Sequence, residues 1–324
     1  MKYLLPFDIS PGCLAYHNKA FPLGIIKANL EKDYDIWIAN KFINCVYRHK
    51  SQSFDIIDDD IWGHRQGLTE TQTITIRPEV FSNNLIDLLG LIKFMLKSKY
   101  YLTGTFNEYY IPRKKPYKDF DFIHDYILFG YDDSECYFKS AGYIDTQKYE
   151  NFEIEYDKYL ESIYKIGSSR VNLWFHRINT DFEVKFDIEF VVQQMKDYVN
   201  SKRSSIVSNN DEIYGISVWD MLAKYIFENE KPFLDLRYTR LFMEHKNLML
   251  SRLNVLFEKG FLNNKNVLKE YGVEIVEQAE LVHRLCLKYN LSHNIDINAR
   301  TYDITRTINQ KEYDLLKDII YTIN

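Results

Sequence analysis

What this chain lacks narrows it first. Only 12 glycines and 7 prolines interrupt 324 residues, which excludes collagen-like and low-complexity architectures and predicts regular elements throughout. The four cysteines stand at 13, 45, 136 and 286, with neither a metal-ligand spacing nor the rhythm of a disulfide framework. They read as reduced cytosolic thiols. No HExxH motif occurs, and neither a metal nor a cofactor is expected. Positive charge is not in excess: 41 basic and 46 acidic side chains give a formal charge of −5, which argues against nucleic acid as a partner. No run approaches the roughly eighteen consecutive apolar residues that a spanning helix needs, so no membrane partner is expected. The opening Met1-Lys-Tyr-Leu-Leu-Pro-Phe-Asp8 has too short an apolar run for a secretion leader and no small-residue cleavage site, so a cytoplasmic protein is expected.

What is present is aromatic. Tyr and Phe number 26 and 21, within an apolar fraction of 46% that is ample for a large core or two. Such rings bury well, provided that the hydroxyls find partners. The first half of the chain mixes helical and alternating patterns. Pro22 fits the first turn of a helix through Leu23, Ile25, Ile26 and Leu30. Asp33 caps a second predicted helix, Tyr34 to about Tyr47, that would bury Cys45. Strand-like runs follow at 54–57 and 71–76. Between them Asp58-Asp-Asp60 with His64 reads as a solvated turn, since three consecutive side chains do not converge on one cation without special backbone geometry. Residues 85–97 form an amphipathic helix, and Tyr100–Phe106 another strand. From Asp187 onward the pattern is helical, with elements at 188–199, 216–228, 234–259, 265–290 and 309–323. On the longest of these, Glu244, His245 and Arg252 share a face with apolar residues and predict a polar network reaching to the first half of the chain.

The stretch from Phe122 to Tyr143 is the most informative. It predicts a β-hairpin, with arms His124–Tyr131 and Cys136–Tyr143 about the turn Asp132-Asp-Ser-Glu135. Symmetric pairing puts His124 opposite Tyr143, at the mouth of a stiff ribbon. An imidazole held there is aimed at whatever another segment supplies. A basic loop, Arg113-Lys-Lys115, precedes it and reads as either a solvated loop or a contact for an acidic partner.

Three segments also carry a family likeness. Glu108-Tyr-Tyr-Ile-Pro112, His124-Asp-Tyr-Ile-Leu-Phe-Gly-Tyr-Asp-Asp133 and Phe152-Glu-Ile-Glu-Tyr-Asp-Lys-Tyr-Leu160 resemble the core of the butirosin-biosynthesis protein H family. That family is similar in fold to papain-like and bacteriocin-processing peptidases. Leu234–Met249 resembles helical segments of such proteins in bacterial peptide-antibiotic clusters. The likeness covers residues 100–165 well, and the first 50 residues and 187–324 by general pattern. It implies an α+β chain, with a papain-like domain of helices and antiparallel sheet over 1–186 and an all-α domain over 187–324. It also implies acyl transfer in nonribosomal-peptide-type biosynthesis. An acyl group would move from an acyl or peptidyl carrier protein to a small-molecule amine or peptide through a cysteine thioester.

In that scheme His124 is the base and Cys13 the nucleophile. A thiol at a helix N-terminus faces the histidine, and a third polar group orients the ring. Two positions depart from the pattern. The helix opening near Ala20 has no cysteine, and Cys13 lies nine residues before Pro22. The return strand near Ser140–Gly142 has no carboxylate or amide, Asp145 being the nearest. His17 is a helix-start residue, or the group that replaces the thiol. The alternative function is an inactive papain-like fold that binds a carrier protein or peptide as an accessory.

Overall fold

A computed structural model describes residues 1–58, 60–77, 80, 87–166, 170–204, 211–229 and 231–323. The elements run β1 (Lys2–Leu4), α1 (His17–Leu30), α2 (Tyr34–Ala39), β2 (Cys45–Arg48), β3 (Ser53–Ile56), β4 (Thr69–Ile76), α3 (Leu88–Lys97), β5 (Tyr101–Asn107), β6 (Ile123–Asp132), β7 (Tyr137–Tyr143) and β8 (Tyr149–Glu155). After them come α4 (Tyr156–Tyr164), β9 (Val171–Ile178), α5 (Ile188–Val199), β10 (Glu212–Tyr214), α6 (Ser217–Phe227), α7 (Leu236–Glu258), α8 (Lys265–Tyr271), α9 (Glu277–Ser292) and α10 (Asp296–Ile323). The chain is thus mixed α and β, with an antiparallel sheet and a helical C-terminal stretch. None of the described helices is long and apolar enough to cross a membrane.

Two compact units form, Met1–Glu31 with Asp60–Phe182, and Lys32–Asp59 with Glu183–Asn324. The first is built on a seven-stranded antiparallel sheet of order β4-β9-β5-β6-β7-β8, with β1 added alongside β6. Its alternating sequences bury Leu102, Phe106, Ile127, Leu128, Phe138, Ile154, Leu173 and Phe175 in one core. Each such side chain contributes about 1.5–3 kcal/mol on leaving water. Helix α3 adds Leu88, Ile92 and Leu96 to the same core and is capped by Asp87, whose carboxylate accepts from Gly90 N at 2.8 Å. Positions 85 and 86 of that predicted helix lie outside the described residues.

In the second unit, residues 32–59, expected within the first domain, pack with the C-terminal helices. The reason is local. The helix predicted to reach Tyr47 stops at Ala39 because Phe42 takes φ +54°, and Arg252 of α7 donates to the freed carbonyls of Ala39 (2.8 Å) and Lys41. Cys45 therefore lies on a strand, still fully buried, where β2 pairs with β3 and β10. The unit is not all-helical, as predicted, but carries this three-stranded sheet. Asp58, expected in a solvated turn, is enclosed and paired with Lys41 at 3.5 Å.

Other boundaries shift as well. Helix α1 starts at His17, so Pro22 sits in its second turn and removes the helical bond to the Asn18 carbonyl. The predicted 265–290 helix divides into α8 and α9 around a π-helical turn at Gly272–Val276, and α10 begins at Asp296 rather than 309. His245 Nε2 donates to Ile43 O at 3.0 Å, and Lys246 pairs with Glu312, both within the second unit.

Candidate functional site

The hairpin forms, but not with the expected register. A bulge between Leu128 and Gly130 shifts β6 against β7, and His124 is opposite Phe106 of β5. The neighbour that matters is therefore the strand before the hairpin. Strand β5 ends at Asn107 and turns at once through Glu108–Tyr110. The buried Asn107 side chain fixes that corner: its oxygen accepts from Tyr109 N and Phe122 N, both at 3.1 Å, and its nitrogen donates to Asp121 at 2.6 Å. The two strand ends are clamped together, which sets Glu108 beside His124.

Glu108 Oε1 accepts from His124 Nδ1 at 2.9 Å. A carboxylate can only accept, so in the neutral ring the bond puts the proton on Nδ1 and the lone pair on Nε2. The same oxygen lies 3.3 Å from Lys114 Nζ, whose ammonium also donates to Tyr143 O at 2.8 Å. Burial pulls Lys114 below its usual pKa range, and Glu108 pulls it partly back. One lysine of the predicted solvated basic loop is thus an enclosed counter-charge. A side chain at Gly142 would bring its Cβ to 3.2 Å from that ammonium, which keeps the position small.

Against this pair stands His17, the first residue of α1. Its ring lies 4.6 Å from the His124 ring, centroid to centroid, and stacks on Phe21 at 4.8 Å and Tyr143 at 5.7 Å. It is 6% exposed, and neither ring nitrogen has a hydrogen-bond partner. Burial holds its pKa well below the usual histidine range, helped by the neighbouring His124 and Lys114 charges; the Asp125 backbone pulls weakly the other way. The helix N-terminus acts in the same direction, since its positive end disfavours an imidazolium. His17 is therefore a neutral imidazole facing an oriented one. His124 is 36% exposed at its side chain and lines a cavity of about 330 Å³ with Glu108, Lys115, Phe120, Phe122 and Tyr143. His17 lines another, of about 320 Å³. A larger groove of about 610 Å³ is bounded by Arg113, Lys139 and Glu153 and touches none of these histidines.

No protein-family model matches the chain, and no curated protein matches it. The site rests on its own geometry.

Of the two residues singled out in the sequence, His124 is bonded through Nδ1 to Glu108. Cys13 is in no disulfide and is fully buried, in the segment before α1 that Tyr143 OH holds through Leu14 O at 2.9 Å. Glu108 was not assigned from sequence, whereas His17 was offered there only as an alternative to a simple helix-start residue. An acid was sought on the return strand, and the structure supplies one from the opposite neighbour. Asp145, the nearest candidate there, is exposed. The usable signal was an acid directly after a strand that would pair with β6. No group of described residues forms a metal cluster.

Cysteine labelling tests this arrangement directly. Cys136, predicted inside a strand, sits in the hairpin turn at φ +54° and is exposed; Cys45 is enclosed, and burial raises the Cys286 thiol pKa to about 12. Iodoacetamide on the native chain is expected to modify Cys136 alone, with Cys13 reacting only on unfolding. Mass spectrometry showing Cys13 alkylated first would overturn the enclosure.

Proposed function

We propose that the first unit is a histidine-centred acyl-transfer site of the papain-like type, in the butirosin-biosynthesis protein H manner. The observation that carries this reading is one constellation: Glu108 on His124 Nδ1 at 2.9 Å, with the His124 ring 4.6 Å from a buried imidazole at a helix start. A strand-borne histidine, an orienting acid and a polar group at a helix N-terminus match the parts that acyl transfer of this type uses. The group at the helix start is an imidazole, so the reaction that fits is direct aminolysis of a thioester.

In that reaction the amine nitrogen adds to the thioester carbonyl and forms the new C–N bond. His124 Nε2 takes the amine proton as the bond forms. The C–S bond then breaks, and the departing thiolate recovers that proton from His124. His17, neutral, offers its N–H to the carbonyl oxygen as negative charge builds there. Lys114 and Glu108 hold the base in place and touch no substrate. A carrier-protein thioester as acyl donor follows from the family likeness.

His124→Ala is expected to lower kcat/KM for aminolysis of acyl N-acetylcysteamine thioesters by about 10²–10⁴-fold. Glu108→Gln should lower kcat with little change in KM, and Cys13→Ser should leave turnover intact. Loss of activity in Cys13→Ser, with an acyl group trapped on Cys13, would restore the thiol scheme and sink direct aminolysis. A second reading is favoured by the imidazole that stands where a thiol is expected: an accessory protein that binds without turnover. Thioester binding with no aminolysis in the native chain would establish it.

A further inference from the structure

The cavity lined by His17 has aromatic walls that the acyl-transfer scheme does not use. His17 is nine-tenths buried with two unsatisfied nitrogens, whereas buried polar groups are almost always paired. A neutral imidazole offers one N–H and one lone pair, and beyond a weak bond to the Asp125 backbone neither meets a partner here. The other walls are flat and apolar. Trp62 lies against His176 at 3.7 Å with 7° between the rings, and Phe21, Pro22 and Trp174 continue the lining.

His176 contributes only a face. Its Nδ1 bonds Thr71 Oγ1 and its Nε2 bonds Thr103 Oγ1, each at 2.8 Å, so neither nitrogen is left for a ligand. Burial lowers its pKa to about 3, which leaves the ring uncharged. Asp125 supplies a carboxyl to the lining, which opposes any anionic ligand. At about 320 Å³ the space is about twice the ~150 Å³ of an engineered apolar cavity that binds benzene. A single ring with a short carbonyl arm fits it.

We infer that this cavity binds an uncharged aromatic acyl group, with the ring between Trp62, Trp174 and Phe21 and the carbonyl at His17. As the acyl-side pocket it rests on the acyl-transfer reading, but its binding does not require turnover. An aromatic ring gains dispersion and stacking against these walls. The carbonyl gives the His17 N–H a better-placed acceptor than the Asp125 backbone supplies. An anionic ring substituent would lose its hydration beside the Asp125 carboxyl, with no lysine or arginine among the described lining residues to meet it.

The test is ligand-observed NMR titration of the full chain with phenylacetamide, acetamide and 4-carboxyphenylacetamide. Phenylacetamide is expected to bind at least about tenfold more tightly than either of the others. Asn18 lines the cavity and is exposed, so Asn18→Phe should fold normally and weaken phenylacetamide about tenfold by filling the space. Trp174→Ala should weaken it by removing a wall. Equal binding of phenylacetamide and acetamide, or affinity unmoved by both variants, overturns the assignment. His124→Ala separates the two readings. If it abolishes aminolysis while phenylacetamide shows no preference, the pocket assignment falls alone. If binding holds while His124→Ala leaves aminolysis unchanged, the acyl-transfer reading falls and the pocket stands.

Discussion

Replacing Glu312 with glutamine is expected to destabilise the second unit by about 3–5 kcal/mol, the usual cost of breaking a buried ion pair from one side. The side chains of Lys246 on α7 and Glu312 on α10 are both fully enclosed. Glu312 Oε2 accepts from Lys246 Nζ at 2.5 Å and from Tyr198 OH at 2.7 Å, and Oε1 accepts from Tyr271 OH. Trp219 Nε1 donates to Tyr198 OH at 2.9 Å, which extends the network to α6. The ammonium also lies over the Trp219 and Phe242 rings, at 4.9 Å and 4.8 Å from their centroids. One carboxylate thus satisfies an ammonium and two phenols.

A glutamine keeps the shape but removes the charge, and leaves the ammonium buried without a counter-ion. Burial already disfavours the charged lysine, and Glu312 opposes that effect. The double replacement Lys246→Met with Glu312→Leu removes both charges and should recover a large part of the loss, since apolar residues of similar volume often replace a buried pair at little cost. Urea unfolding of the full chain, followed by the fluorescence of buried Trp219, measures each variant. A single Glu312→Gln variant within about 0.5 kcal/mol of the native chain would show that the pair contributes nothing.

How far the sequence discloses this depends on the distance between partners. The charged and polar residues of α7 fall at helical spacing among Leu241, Phe242, Leu248 and Met249, so a polar network on a buried stripe was readable. Its partner in α10 was not, because nothing local ties residue 246 to residue 312. The hairpin shows the same limit on a shorter scale. Alternation and turn residues disclosed both arms, yet β6 pairs on both sides. The orienting acid comes from the end of β5, the partner on the side away from the hairpin, while a one-residue bulge shifts only the register against β7. Residues 40–47 failed for a different reason. Their apolar spacing is helical as far as it goes, but Arg252 bonds the carbonyls of Ala39 and Lys41 where the helix ends, and pairing with β3 and β10 makes Cys45–Arg48 a strand. Local propensity was overridden by contacts more than 200 positions away.

Stability is expected to fall steeply between pH 6.5 and 4.5, a window that opens above the range in which most carboxylates protonate. Four histidines have their pKa lowered, mainly by burial: His17 and His176 in the first unit, His245 and His283 in the second. For His176 the folded value is about 3, and for His283 about 4. The unfolded chain binds a proton at each near pH 6.5, where the folded chain does not. Unfolding therefore takes up protons below that pH, and stability rises with pH across the window. The contribution is complete above about pH 6.5 and is lost progressively as the pH drops toward the folded values.

Each fully enclosed histidine contributes a slope of up to about 1.4 kcal/mol per pH unit, so two in a unit give at most about 3. Carboxylates act at lower pH: Asp132 and Asp133 have their pKa lowered, through bonds from Ser134 and Lys93 respectively, and lose their stabilisation only as the pH falls below the ordinary carboxylate range. The onset thus identifies the group. Urea unfolding at pH 7, 6 and 5, with proton uptake on unfolding measured in weak buffer, should show the decline already at pH 6. A stability constant from pH 7 to 5, with decline only below 4, would assign acid sensitivity to carboxylates and remove the claim that these four imidazoles are held neutral.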